Sequence, residues 1–182
     1  MKVAIFGGSF DPPHIGHEQT INQALLKLDI DLLLVIPTFL NPFKEKFFTP
    51  ASIRMQWMQK LVKKYSKVKI LDYEIMQNRA VSSIETVEYI IDLYKPSKIY
   101  LIIGADNLEK LPHWNKYERL KDLVEFVIAS RDDIKIPINL KKLNINVSIS
   151  STNLRDKLDK KYLPAIIADE IIDYREKDES KS

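Results

Sequence analysis

Cysteine is missing from all 182 residues. That one absence excludes disulfides, Cys-liganded zinc, iron–sulfur clusters and a thiol nucleophile together, and it suits a reducing, cytoplasmic setting. Histidine is scarce: His14, His17 and His113 are the whole set, and no His-Glu-x-x-His pattern occurs, so a protein-held metal is not expected. Long apolar runs are also missing. The longest, Leu32-Leu33-Leu34-Val35-Ile36, is far short of the ~20 residues a membrane helix needs. The apolar start is broken by Gly7-Gly8 and Asp11-Pro12-Pro13, unlike a signal peptide, so no membrane partner is expected. Charge of one sign is lacking too: 28 Lys and Arg against 25 Asp and Glu give +3, too little to argue for a nucleic-acid partner. No Gly/Ser linker and no repeat divides the chain. One domain over residues 1–175, with a charged, frayed tail at 176–182, is the expectation.

What is present concentrates at the beginning. Val3-Ala4-Ile5-Phe6 reads as a strand, Gly7-Gly8 as a tight turn and His14 onward as the first turn of a helix. Glycines let the backbone approach a polyanion, and a helix N-terminus supplies free N–H groups and a positive dipole end. His14 and His17, three apart, share a helix face from which both rings reach one bound group. The pattern is neither a Walker A loop nor a dinucleotide fingerprint. Read alone it is an anion site or an ordinary turn.

The rest of the chain alternates strand and helix. Ile21, Ala24, Leu25 and Leu28 give the first helix, over 14–28, a buried face, and residues 32–36 form a strand covered on both sides, as in a parallel sheet. A surface loop spans 38–48, and Thr49-Pro50 opens a helix as N-cap and first residue, with Ile53, Trp57, Met58, Leu61 and Val62 as its stripe. A short strand covers 68–71. Ser82-Ser83-Ile84-Glu85 reads as a capping box for a helix with Ile84, Val87, Ile91 and Leu93 or Tyr94 inward. The strand at 99–103 ends in Gly104-Ala105-Asp106, repeating the strand-then-glycine pattern. Short helical pieces at 107–111 and 116–120 flank His113-Trp114, a strand follows at 126–129, then an irregular stretch at 131–144 and a last strand at 147–149. Ser150-Ser151-Thr152 caps a helix bearing Leu154, Arg155 and Leu158, and a final helix after Pro164 uses Ile167, Ile171 and Ile172. This order predicts an α/β fold, a doubly wound parallel sheet in a single domain.

Ser150-Ser151-Thr152-Asn153-Leu154-Arg155 is by itself an ordinary helix cap with a solvated arginine, or else three hydroxyls and a guanidinium around a second set of phosphate oxygens. Taken with Gly7-Gly8-Ser9-Phe10-Asp11-Pro12-Pro13-His14-Ile15-Gly16-His17, it resembles the signature pair of the His-x-Gly-His nucleotidyltransferase superfamily. Pro12-Pro13 before His14, Gly104-Ala105-Asp106 with Trp114 following, and Arg79 before the Ser-Ser helix start are similar to its bacterial nicotinate mononucleotide adenylyltransferase branch.

The resemblance implies a Rossmann-like sheet and transfer of the adenylyl group of ATP to nicotinate mononucleotide, with Mg²⁺ bound through the ATP phosphates. It implies that His14, His17 and Arg155 act in catalysis, and that Gly7, Gly8, Ser9, Phe10, Gly104, Asp106, Ser150, Ser151 and Thr152 join them in binding ATP. Lys44, Ser82, Ser83 and Trp114 are implied to bind the mononucleotide, Trp114 beside the pyridine ring. The chain departs from that branch twice: Asn41-Pro42-Phe43-Lys44 replaces Pro-Pro-His-Lys, and Val81-Ser82-Ser83 replaces Ser-Tyr-Thr. A pantetheine-phosphate adenylyltransferase shares both end motifs, and an idle ATP-sensing module shares the binding site. The oligomeric state, a homo-oligomer included, stays open.

Overall fold

A computed structural model describes residues 1–40, 42, 46–130 and 134–180. Its elements run β1 (Lys2–Gly8), α1 (Ile15–Lys27), β2 (Leu32–Pro37), α2 (Ala51–Val62), β3 (Val68–Ile70), α3 (Tyr73–Met76), α4 (Ser83–Tyr94), β4 (Lys98–Gly104), α5 (Tyr117–Leu123), β5 (Glu125–Ser130), β6 (Lys141–Asn144), α6 (Ser151–Asp156) and α7 (Ala168–Glu179). Short 3₁₀ turns occupy Ala105–Asn107, Leu111–His113 and Lys160–Tyr162. Among the described residues six strands pair in parallel in the order β3-β2-β1-β4-β5-β6. β1 is central, its Val3 opposite Leu32 on one side and Ile99 on the other. The strand order reverses between β1 and β4, and in such sheets the crevice at that point, beyond the carboxyl ends of the strands, receives ligands.

The continuous apolar run of β2 is explained by burial of all six residues. Side chains alternate across a strand, so Leu33 and Val35 join Ile21, Trp57, Met58 and Ile171 in one core, while Leu34 and Ile36 join Ile84, Val87, Ile90 and Leu120 in the other. α1, α2 and α7 thus cover one face and α4 and α5 the other, the doubly wound arrangement expected. Among the described residues no helix is long and apolar enough to cross a membrane.

Several local expectations are corrected. Gly7 and Gly8 close β1 rather than forming a turn, and no glycine has a positive φ; the left-handed residue of the loop that follows is Phe10, at φ 48°. α2 starts one residue later than read, with Pro50 at the N-cap, its carbonyl accepting the Arg54 N–H at 3.2 Å. The inward face of α4 uses Ile90, with Ile91 half-buried and Leu93 exposed. The helical pieces expected at 107–111 and 116–120 are two 3₁₀ turns and α5. The edge strand β6 lies in the stretch read as irregular, and 147–149 is no strand: Leu143 is the one buried residue of β6, so its sequence shows no apolar run. α7 carries helical backbone to Glu179, past Arg175, where fraying was expected.

Candidate active site

A cavity of about 530 Å³ opens at the carboxyl ends of β1, β2, β4 and β5. It is lined by Gly7, Gly8, Ser9, Phe10, His14, His17, Thr38, Glu74, Ser82, Ser83, Gly104, Asp106, His113, Trp114, Ser150, Ser151 and Thr152, among others. The first motif enters it by close packing. A Cβ on Gly8 would stand 3.1 Å from the Phe10 ring, which is buried edge-on to Phe6 and His17. A Cβ on Gly16 would stand 3.0 Å from the His14 ring. Both glycines are therefore closely hemmed in by a side-chain ring, and neither has a positive φ.

His14 is the N-cap of α1. Its Nδ1 accepts the Gly16 N–H at 3.1 Å, and His17 Nδ1 accepts the His14 N–H at 3.1 Å, a reciprocal capping box built from imidazoles. The rings stack with centroids 3.7 Å apart. A ring nitrogen that accepts carries no proton, so this hydrogen-bond network assigns the proton of each neutral ring to Nε2. Two tautomerically fixed N–H donors thus stand at the start of α1.

The second motif is tied to the first. Ser150 caps α6 by accepting the Asn153 N–H at 3.1 Å, and Ser151 Oγ donates to the Pro12 carbonyl at 2.9 Å. Arg155 donates from Nη1 to the Asp11 carbonyl at 2.7 Å and from Nη2 to Thr152 Oγ1 at 2.9 Å, with its guanidinium over the Phe48 ring. These contacts hold Arg155 outside the cavity lining, unlike the other predicted nucleotide residues.

On the cavity wall built by α3 and α4, Ser82 gives both its N–H (3.1 Å) and its Oγ–H (2.8 Å) to Glu85 Oε1, and Asn115 Nδ2 donates to Ser82 Oγ at 3.3 Å. Glu85 also accepts from Arg79 Nη2 at 2.7 Å; Arg79 and the Ser82 donors hold its carboxyl down at about 2. Ser83 and a half-buried Trp114 complete this wall. Lys44, with Asn41 and Phe43, lies outside the described residues.

Three residues that sequence reasoning missed shape the site. Arg54 is wholly buried in α2 and donates to the carbonyls of Thr49 (2.9 Å), Thr38 (2.8 Å), Phe39 (3.0 Å) and Ser9, joining the loops after β1 and β2. Burial pushes its guanidinium below the usual range, with Asp11 pulling it back up. A signal for it existed: residues 54, 57, 58 and 61 follow the i, i+3, i+4, i+7 spacing of the buried stripe. Asp11 accepts the N–H of Phe48 at 2.9 Å and of Thr49 at 3.2 Å. Glu74 is buried on the cavity wall and accepts from Thr86 Oγ1 at 2.6 Å; burial pushes its carboxyl up to about 7.

Residues 5–157 match the family model described as cytidylyltransferase-like. The chain belongs to the cytidylyltransferase-like family. A protein of Sulfurimonas denitrificans named probable nicotinate-nucleotide adenylyltransferase is 50% identical over 181 residues, covering 99% of this chain and 98% of its own. One of Campylobacter jejuni with the same name is 52% identical over 177 residues, 97% and 98% of the two chains. The branch read from Pro12-Pro13, from Gly104-Ala105-Asp106 with Trp114, and from Arg79 is borne out by these relatives. Among solved structures, the Plasmodium falciparum nicotinic acid mononucleotide adenylyltransferase complexed with NaAD superposes with a TM-score of 0.76 at 23% identity, over 95% of each chain, a likeness of fold. The cytidylyltransferase-like chain thus carries its family's sheet and presents both signature motifs to one cavity.

Proposed function

We propose that this chain transfers the adenylyl group of ATP to nicotinate mononucleotide, giving nicotinate adenine dinucleotide and pyrophosphate, a step of NAD biosynthesis. The observation that carries the reading is the joining of both motifs in one cavity: the imidazole pair of His14 and His17 and the hydroxyls of Ser150, Ser151 and Thr152 line the same space, tied by the Ser151 to Pro12 hydrogen bond. Relatives about half identical over nearly the full chain support it.

In this reading the mononucleotide phosphate attacks the α-phosphorus of ATP in line and pyrophosphate leaves. The attacking group is already an anion, so no general base is required. The protein's work is to place two polyanions and to stabilise charge on the α-phosphoryl and leaving oxygens. Nε2–H of His14 and His17 supplies neutral donors whose geometry is set before substrate arrives. The backbone at Gly7, Gly8 and Ser9 lets the nucleotide approach, Gly104 and Asp106 flank it, and Arg155 reaches the phosphates by exchanging its contacts with Asp11 and Thr152. Mg²⁺ belongs to the reading as part of the nucleotide substrate; Asp106, a hard oxygen donor on the cavity wall, suits its water shell. The mononucleotide occupies the half beside Ser82, Ser83 and Trp114, with Trp114 against the pyridine.

Pyrophosphate release from ATP, measured with nicotinate mononucleotide, phosphopantetheine or no acceptor, tests this. Release with the pyridine nucleotide alone is expected. Release with phosphopantetheine instead, or ATP binding without release in any arm, overturns it.

A further inference from the structure

The α3–α4 wall holds a carboxyl that the reaction as described does not use. Glu74 is 6% exposed, lines the cavity with Ser82, Ser83 and Trp114, and is held by one neutral donor, Thr86 Oγ1 at 2.6 Å. Tyr73 stacks on Tyr89 with centroids 3.9 Å apart, pinning α3 against α4. A nicotinate brings a carboxylate to this wall and a nicotinamide brings a neutral amide. The Ser82 hydroxyl proton is already committed to Glu85, so a substrate carboxylate on this wall does not take its donor from Ser82.

We propose that Glu74 sets the choice between acid and amide pyridine mononucleotides: neutral, it donates its O–H to the substrate carboxylate, and ionised, it repels that carboxylate and accepts from the amide NH₂. The inference rests on the adenylyl-transfer reading above. The charges facing Glu74 are Glu85 of α4, itself paired with Arg79 of the preceding loop, and Tyr73 of α3; Asp106 and His113 stand on the cavity wall formed by the 3₁₀ turns. β2, against which α3 packs, contributes no ionisable side chain. Burial raises the carboxyl to about 7, Thr86 draws it down and Glu85 adds to the rise, so the change falls near neutrality.

The test is kcat/KM for nicotinate and nicotinamide mononucleotides with ATP, from about pH 5.5 to about pH 8.5. Both acceptors carry the same phosphate, so its titration cancels in their ratio. The acid-to-amide ratio should fall roughly tenfold through a midpoint near 7, the size of one neighbouring like charge. Glu74→Gln, a neutral donor at every pH, should flatten the profile with the acid preferred throughout. Thr86→Val, which removes the donor to the ionised form, should move the midpoint upward. A flat wild-type ratio, a Glu74→Gln enzyme that keeps the wild-type slope, or, if that variant does not fold, an unmoved midpoint in Thr86→Val overturns the proposal. If the wild type turns over neither mononucleotide, the reaction reading fails and takes this inference with it; if it turns over both at a constant ratio, this inference alone fails.

Discussion

Replacing Arg54 by Met keeps the length of an unbranched side chain and removes every N–H that the guanidinium gives to the loops after β1 and β2. Four carbonyls lose their donor, and two of those bonds, to Thr38 and Thr49, are fully buried. The Ser9 and Phe39 bonds are partly buried, so water can replace the guanidinium there. Each dry, unsatisfied acceptor costs about 1–3 kcal/mol, hence about 2–6 kcal/mol for the pair. Relief of the guanidinium's own desolvation, visible in its lowered pKa, offsets part of this and leaves a net loss of about 3 kcal/mol. For a chain of this size that lowers Tm by about 6–12 °C. Thermal unfolding followed by circular dichroism reads it directly. Arg54→Lys keeps the charge, but one ammonium cannot span four carbonyls, so about half the loss should remain. Because Ser9 and Thr38 line the cavity, KM for ATP should rise in both variants. An Arg54→Met protein melting within about 1 °C of wild type would refute the reasoning.

Other outcomes follow from the same geometry. His17→Ala should lower kcat by about 10²–10³, the loss of one donor to the transition state, with about 1 kcal/mol of stability lost because His17 also caps the His14 N–H; a near-normal kcat in folded protein contradicts its role. Gly16→Ala drives a methyl into the His14 ring, so kcat should fall by more than about tenfold with about 1–3 kcal/mol of destabilisation, and full activity would show that the ring's position does not matter. Glu74, raised from an ordinary 4.5 to about 7, keeps its proton in the folded state while the unfolded chain releases it. Its effect is therefore nil below the ordinary value, grows as a destabilisation between the two values and levels off above about 7. Glu74→Gln should match wild-type stability near pH 4.5 and exceed it near pH 8 by on the order of 3 kcal/mol; equal denaturation midpoints at both pH values would refute the assignment.

The central sheet was readable because β1, β2, β4 and β5 are covered on both faces and so show as unbroken apolar runs. β6 was not, since three of its four residues are exposed and edge pairing leaves little trace in composition. The two phosphate-side motifs were legible as residues, but their connection was not: Ser151 meets Pro12, and Arg155 meets Asp11, across more than 130 positions of chain. Gly8 looks like a turn glycine in sequence, whereas in the fold it ends a strand with the Phe10 ring close against it. Arg54 and Glu74 were passed over because a charged side chain counts against burial, and only the tertiary partners, four carbonyls for one and a threonine for the other, make burial tolerable.

The central claim is that the α-phosphorus of ATP is the one attacked. ATP labelled at that phosphorus, incubated with the protein and nicotinate mononucleotide, should yield all transferred label in the dinucleotide and unlabelled pyrophosphate in equal amount. Label recovered in pyrophosphate or in orthophosphate, or a dinucleotide that never forms while ATP stays bound, would contradict it.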